Sequence, residues 1–74
     1  MPLNKQTAAQ LIAVMTEVGD KLNDSVRLVR DESDSDSFNS YRDSVGKVMG
    51  IMFFDIMNPI FEKYPELKPE GFLK

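Results

Sequence analysis

The side chains best suited to chemistry crowd into one short stretch. From Asp31 to Ser37 the chain reads DESDSDS, four acids and three serines with no apolar residue between them. Glu32, Asp34 and Asp36 alternate, and Asp43 lies eleven residues beyond Glu32, which approaches the register of a twelve-residue calcium loop. That register breaks at three positions. Glu32 stands where Asp opens such loops, Ser37 occupies the place of the glycine that permits the sharp turn, and Asp43 is one methylene shorter than the usual bidentate glutamate. The stretch is read as a solvated acidic connection, and no metal ligand is assigned to it. Its serines, flanked by acids, also admit phosphorylation.

The remaining chemistry is narrow. The chain has no cysteine, which removes disulfides, thiolate metal sites and cysteine nucleophiles. It has no histidine either, so the usual zinc ligand, the usual neutral-pH base and every Ser-His pairing are missing. Lysine and carboxylate chemistry is left, and no two such groups are placed in an evident pocket. A non-enzymatic protein without cofactors is expected. Asp55 is the one charge between Val48 and Phe61. It reads either as an acid at the edge of a polar face or as a carboxylate turned toward a basic group on another chain.

Partners follow from charge. Nine basic against twelve acidic residues leave a net charge of −3, and the close pair Arg27 and Arg30 is followed at once by acids. No basic stripe for DNA or RNA exists, so nucleic acid is not expected. The longest charge-free window in the second half, Val48 to Phe54, is seven residues, where a membrane span needs about 20. The apolar run after Lys5 is interrupted by Gln10, and no small-residue cleavage site follows it. A soluble, cytoplasmic protein is the expectation.

The elements that must hold these residues are helical. Asn4 and Thr7 both suit an N-cap, Thr7 with Gln10 has capping-box spacing, and Leu3 can staple onto Ala8. Ala8, Leu11, Met15, Val18, Leu22, Ser25 and Val29 then recur in steps of four and three, with Ile12 and Val26 widening the stripe. This predicts a helix over 5–30. After the acidic loop 31–36, with Asp36 or Ser37 as cap, a second helix is predicted over 37–64. Its stripe is Phe38, Tyr41, Val45, Val48, Met49, Met52, Ile56 and Ile60. Pro59 lacks an amide hydrogen and its ring meets the carbonyl of Asp55, so a kink or break is predicted at 55–58, and Pro65 ends the helix. The residues 65–74 form an irregular tail lying across the open end.

An antiparallel pairing about the loop sets Val29 against Phe38, Val26 against Tyr41, Leu22 against Val45, Val18 against Met49, Met15 against Met52 and Leu11 against Ile56. The same register brings Gly19 level with Gly46 and Gly50, a candidate site of close helix approach. One partner helix does not cover the second helix, however. Ile51, Phe54 and Phe61 fall opposite the stripe, among Asp43, Lys47, Asn58 and Glu62, with Phe53 and Met57 beside them.

The fold class is therefore all-α, a single-domain two-helix hairpin, and its surplus apolar face predicts a homodimeric four-helix bundle. A chain of 74 residues is near the size where a single core rarely suffices, and oligomerisation is the one staple left to it. The candidate interface is Ile51, Phe53, Phe54, Asp55, Met57 and Phe61. The expected function is a small acidic protein–protein interaction module: a regulator, an adaptor or an inhibitor. In shape a small acidic helical hairpin that dimerises resembles some bacterial immunity proteins and antitoxins. The alternative is a helical protein that binds a small ligand or a metal such as calcium.

Overall fold

The computed structural model describes residues 3–69, and these are almost wholly helical with no strand among them. Helix α1 spans Lys5–Glu32 and helix α2 spans Ser35–Ile51. A π-helical segment, Met52–Met57, carries α2 without interruption into a short helix α3, Asn58–Lys63, and a 3₁₀ turn Pro65–Leu67 follows. The result is an antiparallel hairpin.

Local chemistry sets each boundary. Asn4, not Thr7, caps α1: its side-chain oxygen accepts the Thr7 amide at 2.8 Å. The hairpin turn is Ser33 and Asp34 alone, both extended, where a loop over 31–36 was expected. Polarity misled that expectation. A run of exposed acids and serines costs a helix little, so α1 continues through Asp31 to Glu32. Asp34 then ends the turn, its carboxylate accepting the Ser37 amide at 2.7 Å. Asp36 lies in the first turn of α2, near the positive end of the helix dipole.

The antiparallel pairing is the expected one, displaced by a residue near the turn, where Tyr41 was expected against Val26. Near the turn, the Tyr41 and Ser25 hydroxyls bond at 2.8 Å, and Ser25 also donates to the Leu22 carbonyl. At the open end, the Leu3 carbonyl accepts from the Tyr64 hydroxyl at 2.7 Å and the Lys63 ammonium at 3.1 Å, while Lys5 pairs with Glu66 at 3.2 Å. Leu67 packs onto the core from the 3₁₀ turn. The tail thus closes the open end as far as Leu67; the expectation for Phe72 and Leu73 lies outside the described residues. In the middle, Val18 turns outward and Gly19 takes its place against Met49 and Met52.

Pro59 widens the helix where a kink or break was expected. With no N–H to offer Asp55, the backbone shifts its pairing by one residue, and the Asn58 amide bonds the Phe53 carbonyl, five residues back. Residues 57 and 58 keep ordinary helical angles. An extra residue in a turn rotates everything after it by about 100° around the axis. The fully buried positions consequently step from Met52 to Met57, then to Ile60 and Phe61, while Ile56 packs against them half-buried. Phe61, expected on the outer face, is 3% exposed, and Met57 is buried beside it. Ala8 and Ile12 of α1 complete this cluster, which sits at the end of the hairpin nearest the chain termini.

Candidate interaction surface

Rotation by the π segment divides the six interface candidates. Ile51 and Phe54 remain outward, 61% and 66% exposed, and Asp55 is exposed between them. Phe53 is half-buried, and Met57 and Phe61 belong to the core. Val48 joins the outward set at 52%, although the straight-helix stripe placed it inside. Val48, Ile51 and Phe54 are spaced by three, so they form one oblique ridge over the back of the helix. Val14 and Val18, one turn apart on α1, are exposed as well.

The glycines answer differently from the expectation. A Cβ on Gly19 would meet the Met52 and Met49 methyl carbons at 3.6 and 3.9 Å, ordinary contact distances, so Gly19 does lie against the opposite helix. Gly46 and Gly50 have nothing within 4 Å of that point. They gather no backbone against them within the hairpin; instead they leave a bare strip on the outside of α2, next to Phe54.

Gly19 also forms the floor of a groove of about 200 Å³ between the helices. Its walls are Met15, Met49, Met52, Met57 and Phe53, and its rim on α1 is Thr16, Asp20 and Asn23. Four of the chain's five methionines meet here. Methionine is unbranched and polarizable, so such a lining adapts to the shape of what enters it. Pairwise reading of the helices finds Met15 opposite Met52 but not the groove, because the groove exists only where Gly19 leaves out a side chain and the π segment turns Phe53 and Met57 toward it. The Phe53 ring packs edge-on against Phe54, centroids 5.0 Å apart at 76°, and so joins groove and ridge into one apolar surface.

Polar chemistry is sparse on this surface. Two carboxylates depart from their ordinary proton affinity. Asp34 is held low by its hydrogen bonds from Ser37, and Glu66 by its own backbone amide and by Lys5; both are structural contacts away from the groove. Among the described residues no three of Asp, Glu, His or Cys gather as metal ligands, and Glu32, Asp34, Asp36 and Asp43 are spread over two helices and their turn. The continuous helix Ser35–Lys63 is long and apolar enough, by length and composition, to cross a bilayer, and 28% of its most apolar window is buried within the hairpin. Comparison of the chain with protein-family models, curated proteins and solved structures returns no match.

Proposed function

We propose that this chain is a small, acidic, non-enzymatic protein–protein interaction module that works as a homodimer, two hairpins packing as a four-helix bundle. The observation that carries the reading is the outward ridge of Val48, Ile51 and Phe54 on a molecule only one helix layer thick. With extents of 44 × 23 × 16 Å, the hairpin is a slab with a single helix layer in its thinnest direction, so neither broad face has a covering wall. Two slabs supply each other's missing wall.

Sedimentation equilibrium over the micromolar range tests this. A mass of 8.4 kDa throughout rejects the dimer, and twice that supports it. Phe54→Lys sets like charges near a two-fold axis and is expected to return the protein to the monomer.

The methionine groove favours a second reading, a binder of a small apolar ligand. At about 200 Å³ it is below the 300–1,000 Å³ typical of ligand sites. Saturable binding of an apolar dye that leaves the sedimenting mass at that of one chain would promote this reading over the first.

A further inference from the structure

We infer that two copies pack back to back along α2, antiparallel about a two-fold axis at Ile51, with Lys47 of each copy paired to Asp55 of the other. This rests on the homodimer reading and specifies its geometry. Lys47 and Asp55 bound one shallow surface on the outside of the helix, floored by Gly50, Ile51 and Phe54. Both charges are exposed, and neither side chain makes an ion pair or a hydrogen bond with another described residue. Eight residues separate them, about 12 Å along the axis, too far for the two to pair with each other.

The surface is complementary to itself. The lysine and the aspartate lie equally far on either side of Ile51, so an antiparallel copy centred there presents the opposite sign at both positions. A parallel copy would set lysine against lysine and aspartate against aspartate. The antiparallel placement also brings exposed Phe54 level with the stretch between Gly46 and Gly50 of the other copy, where no side chain holds its ring away. Ile51 meets its own counterpart at the axis, and the apolar ridge is covered between the two charge pairs. Asp43 comes level with Pro59 and Glu62 with Ser40, so the packing brings no like charges together.

The test measures dimer dissociation by sedimentation at low salt, with circular dichroism as the check on folding. Lys47→Glu sets two carboxylates against each other on both sides of the axis, and Asp55→Lys sets two ammonium groups there. Each is expected to raise the dissociation constant about ten-fold or more at unchanged helicity. Asp55→Lys also brings the chain nearer neutrality, so an effect of net charge alone would tighten its dimer instead. The double variant Lys47→Glu/Asp55→Lys keeps the net charge, restores both pairs with their signs exchanged, and is expected to return the constant close to the wild-type value. A wild-type dimer indifferent to both single variants, or a double variant as weak as either one, overturns the pairing and leaves the homodimer standing. A wild-type protein that stays at 8.4 kDa to high micromolar concentration removes both. Should that monomer cosediment with phosphatidylcholine vesicles, the ridge serves a lipid surface and the pairing falls with the dimer.

Discussion

Asp34 shows how much of this fold hangs on single side-chain bonds. Asp34→Ala removes the oxygen that accepts the Ser37 amide and is expected to lower the melting temperature, while Asp34→Asn, an equally good cap, leaves it nearly unchanged. The pH dependence has a definite sign. Hydrogen bonds from Ser37 hold the Asp34 carboxyl below its ordinary value of 3.8, so the cap's contribution is complete above that value and lost as pH falls through the lower, folded one. Melts from neutral pH into strong acid should show this loss in wild type and not in Asp34→Asn. Gly50 makes a sharper case, because two effects on it oppose. Gly50→Ala meets nothing within 4 Å and should stabilise the helix by about 0.5–1 kcal/mol, yet a methyl on the face beside Phe54 should weaken association. Urea melts and sedimentation on the same variant separate the two.

At the scale of the element, the π segment is the decisive feature. It behaves as one residue too many in a helix whose ends both face the core. Removing exposed Asp55 should let Met52–Met57 close into an ordinary α-helix while Met57, Ile60 and Phe61 keep their places against Ala8 and Ile12. Deleting Ser44, equally exposed, has no extra residue to absorb it and rotates the core stripe by about 100°. Deletion of Asp55 is expected to retain a cooperative melt and deletion of Ser44 to abolish it, both read by circular dichroism. The opposite outcome would mean that the π segment is not what aligns the two halves of the stripe.

For the whole molecule, the contrast lies between two phenylalanines seven residues apart. Phe61 is buried at 3% and Phe54 stands out at 66%. Phe61→Ala should cost about 3–5 kcal/mol, comparable to the entire stability of a domain this size, and leave the chain largely unfolded. Phe54→Ala should leave each hairpin folded and act on association alone. Urea titration at two protein concentrations checks both: the Phe54 variant loses the concentration dependence of its midpoint, and the Phe61 variant has no transition left.

By itself the sequence determined the helical class, the hairpin, the end at Pro65 and an antiparallel register within a residue of the one observed, and it left the α1 cap open between Asn4 and Thr7. These follow from apolar periodicity, capping chemistry and proline's missing donor, all local along the chain. Tertiary structure decided the rest. DESDSDS reads as loop by composition, but exposed polar residues are as comfortable on a helix surface as in a loop, and the turn shrank to the two residues that the Asp34 cap requires. Pro59 announced a disturbance without saying which kind. A kink and a one-residue widening both satisfy the lost hydrogen bond, and they differ only in which side chains they bring to α1. Widening won because it buries Met57 and Phe61 with Ile60 in a single cluster. The same rotation turned Phe53 and Met57 toward the methionine groove while Phe54 stayed outside, where the straight helix already placed it, since which face a residue presents depends on every turn of helix before it.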